Sequence, residues 1–171
     1  MKKKVLKKFN AISATDKKPL KVFLKKFDKL HVPDMEKYTV KADKKAWKKV
    51  ACLDCGNCCK KMTPTFTKAD VTRISAHLNM SESAFKTKWT KVDKDNGDIV
   101  NKTEPCQFLN LDDNKCSIYE VRPEDCALFP HFDKVPFDEY NHIFEQNLDY
   151  CPATFAFIKN LKKRIEKNYE F

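Results

Sequence analysis

Apolar residues recur at helical spacing in the N-terminal third of the chain. They follow Pro19, and His31-Val32-Pro33 ends the pattern formed by Leu20, Phe23, Leu24, Phe27 and Leu30. Positions three and four residues apart share one face of an α-helix, and proline suits its first turn. The pattern predicts an amphipathic helix that docks on the protein's own core, with a membrane-surface helix as the alternative.

Two short helices and a hairpin are predicted in the middle of the chain. Thr67-Lys68-Ala69-Asp70 has the hydroxyl and the acidic residue of a capping box, so a helix is expected to begin there. Ser81 is a suitable N-cap for a second helix. The turn sequence Asp95-Asn96-Gly97-Asp98 indicates a small β-hairpin.

A second hairpin is predicted around the polar turn at residues 111–115. Apolar residues flank this turn on both sides, and the two arms carry Cys106 and Cys116. Pro123 is expected to open a helical turn that presents Cys126. This part of the chain is therefore expected to present three cysteines from a hairpin and a helical turn.

The last apolar pattern follows Cys151-Pro152 and predicts a C-terminal helix. Together the elements predict an α+β fold that is mostly helical, with short hairpins and loops around a cysteine-ligated metal site, in a single small domain. A lysine-rich N-terminal arm with the amphipathic helix, residues 1–46, is expected to precede a cysteine-cluster metal-binding domain at residues 47–171.

Glycine is scarce, and its scarcity excludes several enzyme classes. Gly56 and Gly97 are the only two glycines in 171 residues. The glycine-rich phosphate-binding and dinucleotide-binding motifs cannot be written with two glycines so far apart. A P-loop NTPase, a protein kinase of the usual kind and a Rossmann dehydrogenase are therefore not expected.

The formal net charge is +10, and its source is lysine. Of the 34 basic residues only Arg73, Arg122 and Arg164 are arginines. Arginine makes the forked contacts typical of specific phosphate and base recognition, whereas lysine is a hydrated point charge. The composition is typical of a solvated surface, and it leaves open contact with an acidic protein or weak binding of a polyanion.

The N-terminal sequence favours a cytoplasmic protein. Lys7 and Lys8 interrupt the stretch that would have to form the apolar segment of a signal peptide. No charge-free stretch approaches the roughly 18 residues of a transmembrane helix. Cysteines in a reducing cytosol are more often metal ligands or catalytic groups than disulfides. The eight cysteines therefore favour metal binding over a disulfide framework.

Half of the cysteines are concentrated in one short run, formed by Cys52, Cys55, Cys58 and Cys59. Two intervening residues let a pair of sulfurs turn toward one metal, and Gly56 permits tight curvature, so a tight loop is expected here. Adjacent side chains diverge in most backbone conformations, which disfavours ligation of one mononuclear ion by both Cys58 and Cys59. The run indicates two metal sites, a polynuclear cluster, or a Cys59 that is not a ligand.

The other four cysteines are far apart in the sequence and must be gathered by the fold: Cys106, Cys116, Cys126 and Cys151. With the first run they make a candidate metal-ligand set of eight thiols. Zinc suits paired C-x2-C hooks and hairpin-borne ligands. A [4Fe–4S] cluster suits the C-x2-C-x2-C run with a remote cysteine before a proline, here Cys151. The residues leave Zn²⁺ or the cluster, and one site or two, open.

The order and spacing of the cysteines resemble those of one known family. The segment Trp47…Cys52-x2-Cys55-Gly56-x-Cys58-Cys59 is followed by Pro105-Cys106-x-Phe108-Leu109 and Cys116-Ser117-Ile118-Tyr119-x2-Arg122-Pro123-x2-Cys126. This pattern, over about residues 47–153, resembles the YkgJ-type cysteine-cluster family. The resemblance implies a zinc- or iron-chelating domain. A related cysteine cluster occurs in flagellin lysine methylases, which use S-adenosylmethionine.

Metal or cluster binding is the leading hypothesis for function, in an electron carrier, a metal sensor or a structural metallo-domain. Two alternatives stay open. The relation to methylases suggests a cluster-dependent group-transfer enzyme, and the lysine-rich surface suggests a zinc-stapled module that contacts an acidic partner. No catalytic residue stands out from the sequence.

Overall fold

A computed structural model describes residues 2–12, 14–27, 29, 31–133 and 136–169. By spatial contact the chain forms two compact units. Unit 1 comprises Met1–Cys55 with Pro130–Phe171, and unit 2 comprises Gly56–Phe129. None of the described helices is both long enough and apolar enough to be a membrane span. The boundary between residues 46 and 47, drawn from composition, stays a prediction.

Most of the described chain is helical. The helices are α1 (Lys2–Asn10), α2 (Ala14–Lys26), α3 (Met35–Trp47), α4 (Cys52–Cys55), α5 (Asn57–Lys61), α6 (Lys68–His77), α7 (Glu82–Trp89), α8 (Glu124–Leu128), α9 (Asn141–Asn147) and α10 (Pro152–Asn168). Single 3₁₀ turns span Tyr119–Val121 and Phe137–Tyr140. Two strands, β1 (Thr90–Val92) and β2 (Ile99–Asn101), pair antiparallel with Lys91 opposite Val100. The predicted fold, mostly helical with a small hairpin, is confirmed.

Unit 1 is organised around α10. The residues Phe157, Leu161 and Ile165 recur every four positions along this helix and are fully buried. They share one apolar core with Phe23 and Leu24 of α2, as well as with residues of α3 and α9. The predicted C-terminal helix is confirmed, and so is the docking of the amphipathic helix on the protein's own core.

The amphipathic helix begins earlier than its sequence pattern predicts. α2 starts at Ala14, so Pro19 lies inside the helix rather than in its first position. Proline has no N–H, and one hydrogen bond of the helical ladder is missing there. Burial of Leu20 and Leu24 on the core face stabilises the helix in spite of this loss. The predicted apolar position Leu30 lies outside the described residues.

The sequence pattern does not predict α3, although this helix packs along α10. Its buried positions are Thr39, Ala42 and Ala46, which are small or polar. Small residues give a weak hydrophobic period, but they let two helix backbones approach closely. The signal that marks α2, a row of large apolar side chains, is therefore absent from α3.

Unit 2 has an apolar core of its own, built from Phe66, Val71, Ile74, Phe85, Phe108 and Ile118. The capping box at the start of α6 is formed as predicted. The Asp70 backbone N–H donates to Thr67 Oγ1 at 3.1 Å, and the Thr67 N–H donates to the Asp70 carboxylate at 2.9 Å. The hydroxyl of Ser81 accepts a hydrogen bond from the N–H of Ala84, which confirms the predicted N-cap of α7.

Both predicted hairpins are present in unit 2, and they differ in extent. The first consists of β1 and β2, with Gly97 at a φ of +79° in the connecting turn. The second is reduced to a single bridge between Leu109 and Cys116. This bridge is made by two backbone hydrogen bonds of 2.8 Å, from Ser117 N–H to Phe108 O and from Asn110 N–H to Lys115 O. The arms of this hairpin hold the chain near Cys116 in place.

The first cysteine run forms two short helices instead of the expected tight loop. α4 carries Cys52 and Cys55, and α5 carries Cys58 and Cys59. Gly56 joins them at a φ of +56°, a left-handed conformation that glycine adopts without strain. A spacing of three residues suits a chelating loop and a helical turn equally well, so spacing alone does not distinguish them.

Replacing Gly56 with alanine is expected to lower the free energy of unfolding by about 1–2 kcal/mol, because a Cβ is strained in the left-handed region. The new Cβ would also lie 3.0 Å from the Cβ of Asn114, which must shift. The matched control is Gly97→Ala, since that position also has a positive φ but has nothing within 4 Å of an added Cβ. Urea unfolding should show a larger loss at Gly56; equal losses would contradict the contact with Asn114.

Candidate metal centre

The eight predicted ligands are distributed between the two units. All eight are cysteines in the reduced form. Unit 1 contains three of them, namely Cys52, Cys55 and Cys151. Unit 2 contains the other five, namely Cys58, Cys59, Cys106, Cys116 and Cys126. The five thiols of unit 2 come from three separate segments of the chain: α5, the second hairpin and α8.

The adjacent cysteines of α5 lie beside the start of the second hairpin. The sulfur atoms of Cys58 and Cys59 are 3.8 Å apart, within hydrogen-bond distance for sulfur, so the expected divergence of these two side chains is wrong. The backbone N–H of Cys106 donates to the carbonyl oxygen of Cys59 at 2.8 Å. The N–H of Leu109 then donates to Cys106 O at 3.0 Å, and Leu109 pairs with Cys116. A continuous chain of backbone contacts therefore connects four cysteines of unit 2.

The fifth thiol, Cys126, enters the same region from α8. A cavity of about 60 Å³ is lined by Cys58, Cys59, Cys106 and Cys126, together with Met62, Thr63, Pro64, Asp125 and Phe129. Its lining is mostly apolar, and its polar groups are thiols, one hydroxyl and one carboxylate. The neighbouring Asp125 carboxylate accepts a hydrogen bond from the N–H of Thr65 at 3.0 Å. This contact fixes α8 against the segment that follows α5.

A second carboxylate, Asp70, also holds α8 in place. Its side chain is only 1% exposed, and its Oδ1 accepts a hydrogen bond from the N–H of Glu124 at 3.1 Å. The same oxygen accepts from the guanidinium of Arg73. The sequence predicts Asp70 as a capping residue, but it gives no signal for the link to α8. Asp70 thus connects the start of α6 to the helix that carries Cys126.

The thiols of unit 2 influence one another's ionisation. A hydrogen bond from Cys58 lowers the pKa of Cys59 to about 7, against the opposing effect of burial. Burial raises the pKa of Cys106, Cys116 and Cys126, and the negative charge of Cys59 raises each of them further. The four sulfurs are thus close enough for the charge on one to disfavour charge on the others.

Arg122 supplies positive charge that acts on one of these thiols, Cys116. Its guanidinium lies over the ring of Tyr119, 4.0 Å from the centroid, and it donates to the Tyr119 carbonyl oxygen at 2.7 Å. Its charge acts to lower the pKa of Cys116, although burial dominates and the net shift is upward. Arg122 therefore partly offsets the cost of an anionic thiolate at Cys116.

In unit 1 the three cysteines differ in their surroundings. Cys52 is exposed and Cys55 is buried at the end of α4. Cys151 is the N-cap of α10, and its sulfur accepts a hydrogen bond from the N–H of Thr154 at 3.4 Å. Burial raises the pKa of the Cys151 thiol. Ligation by these three residues stays a prediction.

The donor set of unit 2 fits zinc or iron in its chemistry. Thiolates are preferred ligands of Zn²⁺ and of iron–sulfur clusters, and five thiols with one carboxylate are gathered here. Among the described residues, no group of three or more His, Cys, Asp or Glu side chains already has an arrangement that could hold a metal ion. The structure thus brings the side chains into one region without forming a coordination site.

Cys59 is expected to be alkylated by iodoacetamide before Cys106, Cys116 or Cys126 in metal-free protein near pH 7. The thiolate is the nucleophile, and a pKa of about 7 ionises about half of the Cys59 population at that pH. The measurement is a short labelling pulse followed by peptide mass spectrometry. Cys58→Ala, which removes the hydrogen-bond donor, should slow labelling of Cys59. Uniform labelling of all four thiols would contradict the assignment.

Comparison with known proteins identifies one family. The family model described as "CxxCxxCC: Putative zinc- or iron-chelating domain" matches residues 51–152, a span that includes all eight cysteines. An "uncharacterized protein" of Methanocaldococcus jannaschii is 32% identical over 81 residues, which cover 47% of this chain. The match spans 43% of that relative, less than half of its length. No solved structure matches the chain.

Proposed function

The chain belongs to the CxxCxxCC family of zinc- or iron-chelating domains, and we propose that it binds zinc or iron through cysteine thiolates. The central ligands are assigned to the thiols of unit 2 that share one electrostatic environment: Cys59, Cys106, Cys116 and Cys126. Cys58 lies beside them. The remaining members of the proposed ligand set are Cys52, Cys55 and Cys151.

One observation carries this proposal: thiols from three chain segments meet around one small cavity in unit 2. A single buried cysteine is an ordinary small apolar side chain. Neutral thiols around one cavity also pack well, but a charge on Cys59 disfavours a charge on Cys106 or Cys126. A bound cation would reverse this interaction, because it favours the thiolate form of every ligand at once.

The residues around the thiols would exclude water and hold the ligands in place. Pro64 and Phe129 provide apolar walls of the cavity. Asp70 and Asp125 accept backbone hydrogen bonds that hold α8 and therefore Cys126. A bound metal supplies either a structural cross-link or, as an iron–sulfur cluster, a one-electron redox centre. The chain's own contribution is to bring the three thiol-bearing segments together.

Metal and sulfide analysis of anaerobically purified protein tests the proposal. Colourless protein with tightly bound zinc would support a structural or sensing role. Brown protein that contains both iron and acid-labile sulfide would support a cluster and electron transfer. Metal-free protein that stays folded, and that takes up neither zinc nor iron from solution, would overturn the proposal. Stoichiometry per chain also distinguishes one site from two.

A further inference from the structure

Unit 1 contains a second feature that the metal centre does not use, a strongly cationic groove between α3 and α10. The groove has a volume of about 550 Å³. Six basic side chains line it, namely Lys37, Lys41, Lys45, Lys163, Arg164 and Lys167. One carboxylate, Asp34, also lies in the lining, and it is paired with Lys37 at 2.9 Å. In the described part of the chain no carboxylate pairs with the other five cations.

The cations form two rows, one on each helix. Lys37, Lys41 and Lys45 follow one another at four-residue steps along α3, which places successive residues about 6 Å apart on one stripe of the helix. Lys163 and Lys167 have the same spacing on α10. Two rows of regularly spaced positive charge on either side of a groove are complementary to a chain that carries regularly spaced negative charge.

The groove also has an aromatic wall. Tyr38 lines it, and the Tyr38 ring packs edge-on against Tyr169 with centroids 6.2 Å apart. Single-stranded nucleic acid is held elsewhere by this combination, a cationic groove for the backbone with aromatic rings on which bases stack. Because five of the six cations are lysines, which act as point charges, such contacts would be independent of sequence.

We propose that the groove between α3 and α10 binds the phosphate backbone of single-stranded nucleic acid without sequence preference. A concave groove suits a flexible linear polyanion better than a flat membrane surface. A folded acidic protein would have to insert a carboxylate-rich segment into the same groove, and that alternative is an outcome of the test. The proposal does not depend on the metal centre, because both helices belong to unit 1 and none of the lining residues is a cysteine.

The test is fluorescence anisotropy of a labelled oligothymidylate of about 15 nucleotides, long enough for one such site, with the full chain. Affinity should fall steeply between about 50 and 200 mM salt. The triple variant Lys41→Gln/Lys45→Gln/Lys163→Gln should weaken binding at least about tenfold and reduce the slope of log affinity against log salt by about 2, near 0.7 per lost contact. Unchanged affinity in this variant would overturn the proposal.

A charge-matched control distinguishes binding in the groove from a general effect of the protein's net charge. Lys68→Gln/Lys91→Gln/Lys94→Gln removes the same charge from exposed positions of unit 2 and should leave affinity within about twofold. Equal losses in the two triple variants would overturn the proposal in favour of a diffuse charge effect. Metal content should be the same in all variants, so that a failure of the metal assignment does not affect this result.

Two further measurements identify the class of partner. Tyr38→Leu should weaken oligonucleotide binding at least about fivefold and leave the salt slope unchanged, because it removes stacking and retains all the cations. Polyglutamate of equal length and phosphatidylglycerol vesicles are tested at the same salt. Tighter binding of either one than of the oligonucleotide, reduced in the groove variant, would overturn the assignment to nucleic acid.

Discussion

Cys126→Ser is expected to lose bound metal and to lower the metal affinity of the chain by more than about 100-fold, since even partners of metal ligands commonly account for 10–100-fold. The serine hydroxyl has nearly the size of the thiol, but it does not ionise to a ligand at neutral pH. Cys126 is the only thiol that α8 contributes to the cavity of unit 2. Its loss should therefore remove one side of the proposed site.

A chelator distinguishes the loss of a ligand from a loss of packing. In metal-loaded protein, urea unfolding should show Cys126→Ser to be less stable than the unmodified chain, because metal binding and folding are linked. With excess chelator the two should unfold at nearly the same urea concentration. The control is Ala127→Ser, which places a hydroxyl at an exposed position of the same helix. Full metal stoichiometry in Cys126→Ser would refute the ligand assignment.

The metal content of serine variants also tests the proposed ligands of unit 1. If Cys55 and Cys151 are ligands, as proposed, their serine variants should also lose metal. Cys151 offers an additional readout, since its sulfur caps α10 through the N–H of Thr154. Serine is itself a good N-cap, so Cys151→Ser should retain the helix while it loses the ligand. Unchanged metal content would restrict the proposed ligands to the thiols of unit 2.

Much of the local structure could be predicted because its signals are local. Thr67, Asp70 and Ser81 stand directly at the helix starts that they cap, and Gly97 stands in the turn that requires a positive φ. The C-terminal helix shows a clear period of large apolar residues. In contrast, α3 buries alanines among lysines, and its place beside α10 follows from close packing that a hydrophobic pattern does not register.

The sequence predicts which thiols are candidate ligands, but it does not predict which of them lie together. The cysteine spacing identifies eight thiols, and a linear sequence contains no information on which of them approach one another. The structure places five in unit 2 and three in unit 1. The cysteine run forms two helices with Gly56 between them. The sequence does not predict this, because a spacing of three residues is compatible with both a tight loop and a helical turn.

Asp70→Asn is expected to lower the free energy of unfolding by about 3 kcal/mol, because a buried carboxylate that accepts several hydrogen bonds is replaced and each donor left without an acceptor costs about 1–3 kcal/mol. The Asp70 carboxylate is almost fully buried and accepts from four donors in unit 2: the N–H and hydroxyl of Thr67, the guanidinium of Arg73 and the N–H of Glu124. An amide has one oxygen in place of two. Its NH₂ group would face donors that then have no acceptor, and buried donors without partners are costly.

Acid should reduce the difference between the unmodified chain and Asp70→Asn. Although burial raises the pKa of the Asp70 carboxyl, the hydrogen bonds from Thr67 and Arg73 outweigh it and hold the pKa below its ordinary value near 3.8. A group with a lowered pKa stabilises the fold fully above its unfolded pKa, and this stability is lost as the pH falls through the folded pKa. The difference should be constant from neutral pH down to about 5 and shrink below about 4.

Because Asp70 positions α8 and is not a proposed ligand, its variant should behave differently from Cys126→Ser. Residue 124 is tied to Asp70 across 54 positions of sequence, so the substitution releases the start of the helix that carries Cys126. The loss of stability should persist in excess chelator, and bound metal should be weakened rather than lost. Asp98→Asn, at an exposed aspartate, is the control and should leave both the free energy of unfolding and the metal affinity unchanged. A loss that disappears with chelator would place Asp70 in the metal site itself.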